Sequence, residues 1–346
     1  MRLSVFLALA FVLLAAAFPA SAVPVRGLYE ASIPVRNQGP DAREPALRAA
    51  LETVLVRVVG TRELPQPALD LLGRASSFVQ GYGYDSSGSG RDLRLRAQFD
   101  ARAIEAALRA AGLPVWGANR PSHIAWVALR DEAGQRYVLD ASSADTRAPA
   151  LAATADARGL PLQFPSLDAT DRQQLVGFGD LWAGRTEGAQ AASSRYNARL
   201  VLVGRVGREN GQWLGRWTLV GDPGAASEDW VSMGATLEAA LAAGIHDLAD
   251  REAQRFAVQT GSMSEIQLVV SGVESLDDYG RALNYLRGLT PVRGAQVEAA
   301  EPGVLLLRLR VEGDPDTLGR VIAAGRTLRV REDASFGSKL SYDLVH

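Results

Sequence analysis

Three histidines, His123, His246 and His346, are the first residues to weigh for acid–base or metal chemistry. They lie far apart in sequence, and none belongs to an H-x-x-x-H or H-E-x-x-H pair, so no metal site is expected. His123 opens an apolar strand and His246 follows Ile245 on a helix, so a structural or surface role is the favoured reading for both. His346 is expected to be solvated. Cysteine is absent, which excludes disulfides, thiolate nucleophiles and cysteine-held metals. No G-x-S-x-G elbow sets up a serine nucleophile. The acidic pairs Glu228-Asp229 and Asp277-Asp278 are adjacent, not spaced as two facing carboxylates, and the second pair suits the first turn of a helix. Gly81-Tyr-Gly83 and Gly88-Ser-Gly90 lack the third glycine or lysine of a phosphate loop. No catalytic residue, cofactor or metal is expected.

Two sets of side chains could bind a partner. Trp213 and Trp217 fall on one face of a strand, with Trp230 expected nearby; stacked indoles can hold sugars or anchor a protein. The favoured alternative places them in the core, under a helix. Arg199, Arg205, Arg208 and Arg216 cluster in the same hairpin and could face an anionic glycan or lipid headgroup. A solvated sheet rim is the more usual explanation of such arginines.

The element that must position these residues runs from Asn197 to Phe256. Arg199–Val206 reads as a strand, Asn210-Gly211 as a tight hairpin turn, and Gln212–Val220 as the answering strand. Asp222-Pro-Gly224 is a turn and Asp229–Val231 a short strand. Leu237, Leu241, Ile245, Leu248 and Phe256 then form one apolar helix face.

The rest of the chain repeats this sheet-and-helix plan, and three small α+β domains with antiparallel sheets are expected. The first, residues 23–115, has an edge strand at Tyr29–Val35, because Pro34 cannot donate to a ladder. A helix follows, with Asp41 and Glu44 as its capping box and Gly60 as its stop. Strands at 78–84 and 93–99 flank the loop Asp85–Gly90, and Asp100 caps a last helix. The second domain, residues 116–260, is built on the central strand His123–Leu129. The third, residues 261–346, shows the ferredoxin-like order βαββαβ, with caps at Ser275/Asp278 and Asp314-Pro315 and a last strand at 328–330. The joints are expected at Pro114–Pro121 and Thr260–Ser264.

Composition is that of an ordinary folded protein, 47% apolar and 22% charged. A net charge of −2 argues against nucleic acid as a partner. Arg2, the apolar run Leu3–Phe18 and Ala20-Ser-Ala22 form a secretory signal cleaved after Ala22, which implies a periplasmic address. No later stretch is apolar enough to span a bilayer.

Two resemblances sharpen this. The run ending Tyr-Asn-Ala-Arg, followed by LVLVGRV, a turn and QWLGRWTLV, resembles over residues 187–256 the amino-terminal domain of periplasmic TolB and the lipoprotein activators of peptidoglycan synthases. That resemblance implies a structural and docking domain without catalytic residues. The whole chain, from GLYEASIPV and ALRAALETVLVRVVGTRE through ARLVLVGRV, is similar to an exported Gram-negative family known only as a domain of unknown function (DUF2066). It implies export and supplies no activity. The expectation is therefore a non-enzymatic docking or accessory factor working on an envelope protein or complex. The second expectation is a glycan module, with peptidoglycan as its partner, on Trp213, Trp217, Trp230, Arg205 and Arg216. The third is a hydrolase whose carboxylates converge only in the fold.

Overall fold

The computed structural model describes residues 25–86, 93–141, 146–173, 177–221, 226–259, 261–331 and 340–346. The expected signal, the Asp222-Pro-Gly224 turn, Thr260 and most of the Asp85–Gly90 loop lie outside the described residues.

Mixed helices and strands make three sheets, and the α+β class stands. The first comprises β1 (Glu30–Pro34), β2 (Val79–Ser86) and β3 (Leu93–Phe99) in the order β1-β3-β2, all antiparallel. Alternation along β3 buries Leu95, Ala97 and Phe99 and turns Arg94, Arg96 and Gln98 to the open face. The buried side packs on α1 (Pro40–Val59) through its stripe of Leu47, Leu51, Val54, Leu55 and Val58. Gly60 ends that helix at φ +86°, a conformation that disfavours any side chain. The capping box expected at Asp41 and Glu44 is not formed. Gly39 is the cap and Pro40 the first helical residue, because a ring-locked φ and a missing N–H suit that position. The short α2 (Gln66–Leu69) and a 3-10 stretch follow, then α3 (Ala101–Ala110), whose Asp100 cap accepts from Arg102 and Ala103 N–H as expected.

The middle unit contains β4 (His123–Arg130), β5 (Arg136–Val138), α4 (Arg147–Ala157), β6 (Leu162–Gln163), α5 (Ala169–Gln173), α6 (Phe178–Trp182), α7 (Glu187–Ser193), β7 (Leu200–Glu209), β8 (Gln212–Val220), β9 (Glu228–Gly234) and α8 (Leu237–Phe256). The sheet order is β5-β4-β7-β8-β9, with β6 beside β4. It is mixed rather than antiparallel: β4 runs parallel to both β7 and β6. The helical crossover from β4 to β7 returns the chain to its starting end, which only parallel pairing allows. The hairpin is as expected, with Asn210 and Gly211 both at positive φ. Core lies on both faces. Trp213, Trp217 and Trp230 pack under α8, while Ile124, Trp126 and Val203 pack under α6 and α7.

The third unit contains β10 (Met263–Val273), α9 (Leu276–Arg287), β11 (Val292–Glu301), β12 (Gly303–Glu312), α10 (Pro315–Ala324), β13 (Leu328–Val330) and β14 (Leu340–Leu344). The order βαββαβ is present, but β13 is not the last strand. β14 enters between β10 and β13, parallel to the first and antiparallel to the second. Both expected caps form, the Ser275/Asp278 box in full.

The segment expected to be a joint, Pro114–Pro121, is packed. Val115 bridges Val258, Trp116 N–H donates to Val58 O, and Asn119 Nδ2 donates to Gly288 O. Arg120 is buried, and its five N–H groups donate to five carbonyls: Gly117 and Trp116 of the segment itself, Arg57 of α1, and Arg158 and Gly159 at the end of α4. Its guanidinium also lies 3.6 Å from the Trp116 ring centroid.

Candidate functional site: the open face and edge of the middle sheet

Strand alternation sorts the hairpin residues onto two faces. On one, the register aligns Gly204, Trp217 and Trp230; on the other it aligns Arg205, Arg216 and Val231, with Gly207, Leu214 and Met233 as a neighbouring row.

The tryptophan face is closed. Trp217 is 1% exposed and sits in a slot left by Gly204, Gly215 and Gly244, where an added Cβ would lie 2.5, 2.6 and 2.1 Å from the nearest atoms. Its Nε1–H donates to Ser232 Oγ at 2.8 Å, which in turn donates to Ala240 O. Trp230 stacks on it with centroids 6.4 Å apart, and Trp213 is buried as well. No indole face of the three is left for a sugar, because α8 covers that side and the glycines admit the rings completely. The glycan platform on Trp213, Trp217 and Trp230 is therefore not present in this fold.

The arginine face is half open. The Trp182 indole of α6 lies on Gly207, and Trp182 O accepts from Arg205 Nη1 at 2.7 Å, so α6 shelters β4 and β7. Beyond it, no helix among the described residues covers β8 and β9 on this side. A groove of about 430 Å³ runs there, lined by Arg205, Arg216, Thr218, Asp229 and Val231. Arg216 is paired with Glu209 at 2.9 Å, and that hydrogen bond holds its pKa above the ordinary arginine value. Arg205 and Arg216 thus stand together, while Trp213, Trp217 and Trp230 are on the opposite side. Arg199 is engaged with Ala323 O, and Arg208 with Gly211 O.

The sequence did not single out Val231 and Met233, 52% and 65% exposed on β9, the last strand of its sheet. Among the described residues, no hydrogen bond reaches the β9 backbone from its outer side. The other long edges differ. On β1 the carbonyls of Glu30 and Ser32 accept from Arg57 and Arg94, and Pro34 has no N–H to offer. On β11 two register shifts bend the strand, and on β2 a shift follows Val79 and two glycines thin the strand.

Two buried acid–base clusters lie elsewhere in the fold. His123 and Glu252 are wholly buried, with Nε2 3.6 Å from Oε2, and Arg255 is 3.8 Å from Oε1. His123 Nδ1 faces Pro161 O at 3.3 Å, so the pair ties β4 to α8. Arg158 bonds Gly60 O and Asp250 and approaches His246, whose pKa burial and then Arg158 hold below the usual value. Among the described residues no three histidine, aspartate or glutamate side chains converge as a metal site.

A family model described as a domain of unknown function (DUF8605) matches residues 22–117. No curated protein and no solved structure matches the chain. This overturns both resemblances: the matching model is neither DUF2066 nor a TolB-like amino-terminal domain, and it covers the first sheet rather than the hairpin and α8. A strand, an Asn-Gly turn, a second strand and an amphipathic helix make a motif that many folds reach independently, so its pattern carries little family information.

Proposed function

We propose that the chain is a non-enzymatic docking factor of the cell envelope that receives an extended segment of a partner protein beside β9. The observation that carries this is the contrast between edges. β9 presents an unguarded row of backbone groups flanked by exposed Val231 and Met233, whereas β1 is capped by arginines and β11 is bent. A strand added there would gain main-chain hydrogen bonds, and its side chains would fall into the groove beside Arg205 and Arg216. The envelope address rests on the sequence of residues 1–22 alone.

The test is crosslinking and affinity capture of the full chain expressed with its leader, read by mass spectrometry, beside Val231→Lys and Met233→Lys variants. Reproducible enrichment of one envelope complex, reduced at least about tenfold by either lysine while thermal unfolding stays unchanged, is the expected result. Equal enrichment by wild type and both variants would remove β9 as the docking edge.

A further inference from the structure

A second depression, of about 590 Å³, lies between the first sheet and the middle unit. One wall is the outer side of β1 with the segment before it, including Arg26, Leu28 and Ala31. The other is Gly159-Leu160-Pro161, just after α4. Three guanidinium groups line it, Arg26, Arg57 and Arg96, against the two carboxylates Glu30 and Asp156.

Arg57 is only partly used by the fold. Its Nη1 donates to Gly27 O and Glu30 O, whereas Nε is buried without an acceptor and Nη2 has none among the described residues. No carboxylate stands within 4.0 Å of it there, although the charge of Asp156 is felt from farther off. Burial lowers its pKa. Arg26 makes no hydrogen bond or ion pair among the described residues, while Arg96 is held by Asp85 at 2.7 Å. Behind the wall, Arg120 adds a buried positive charge satisfied by carbonyls and by no carboxylate. A buried or half-buried cation without a counter-ion is a standing electrostatic deficit. An oxyanion is the group that removes it, and Nη2 of Arg57, unlike the buried Nε, is the free donor open to one.

We propose that this cleft binds a small ligand carrying an oxyanion group, carboxylate or phosphate, held by the unused side of Arg57 with Arg26 and Arg96 adding charge. Pro161, half-buried at the rim, offers contact to its apolar part, with Leu28 and Leu160 buried behind the wall. The site is independent of the β9 edge. The volume exceeds what a bare anion needs and falls in the range of small-molecule sites.

Isothermal titration of the full chain with sodium phosphate and, separately, sodium octanoate, with ionic strength fixed by sodium chloride, tests this. At least one of the two binds saturably, one per chain. Phosphate alone assigns a phosphorylated ligand, and octanoate alone an apolar carboxylate. Arg57→Gln weakens that binding at least about tenfold. Arg26→Gln, at an exposed residue the fold does not use, weakens it several-fold with an unchanged melting temperature, and Asp156→Asn tightens it. Heats no larger than those of sodium chloride for both probes overturn the site. So does binding that is unchanged in both Arg26→Gln and Arg57→Gln.

Discussion

Trp217 shows how much of a residue's fate is decided by its neighbours' smallness. Gly244 leaves the space its ring occupies, so Gly244→Ala forces a Cβ to 2.1 Å from the indole. A loss of about 1–3 kcal/mol is expected for that overpacking, and about 3–5 kcal/mol for Trp217→Ala, both read from urea unfolding. His246 gives a pH signature. Its folded pKa lies below the unfolded one, so the unfolded chain takes up the proton first as pH falls through about 6.5. Stability should therefore drop between pH 7.5 and 5.5, and His246→Gln should flatten that drop, measured as the shift in denaturation midpoint. Asp247, whose pKa burial raises, works in the opposite direction. The alternation of β8 made it legible that Trp213 and Trp217 share a face. The favoured reading, core under the Leu237–Phe256 helix, is what the fold shows; the cover that α6 gives part of the opposite face was not legible, because only the tertiary arrangement assigns it. Val231 and Met233 escaped notice because a lone exposed apolar residue has no local pattern.

At the scale of elements, signals confined to a few neighbouring residues were readable. Asn210-Gly211, the Ser275/Asp278 box and Asp314-Pro315 each fix backbone geometry through contacts no more than about one turn away. Ser275→Ala should accordingly cost about 1 kcal/mol, seen as a lower melting temperature with unchanged helical content. Pairings between distant strands were not readable. The parallel match of β4 to β7 and the entry of β14 depend on crossover geometry that no strand's own residues record. The misplaced start of α1 is a local conflict instead. Asp41 and Glu44 have the right types for a capping box, but Pro40 moves the first turn upstream of them. For the same reason β9 read only as a short strand. Its openness belongs to the sheet order and not to the residues Glu228–Gly234.

For the whole molecule, Arg120 joins parts that the sequence divides. Its carbonyl partners come from α1, the Trp116-Gly117 segment and the end of α4, so removing it would orphan acceptors in three places at once. Arg120→Ala should cost about 3–5 kcal/mol and open the 113–122 segment to limited proteolysis. Lysine should not rescue it, since three donors cannot meet five carbonyls. Pro114 and Pro121 were legible as a boundary in composition, but the burial of Val115, Trp116, Gly117 and Arg120 between them was not. The position of β14 also has a consequence in time. Leu268 of β10 must wait for Leu340, its partner 72 residues later (340 − 268), before that side of the strand is filled. During synthesis the third sheet therefore passes through a stage with β10 as an open edge and β13 without its partner. Such long-range parallel pairing closes slowly and leaves a window for misassociation. That window stays open until β14 itself is free to pair.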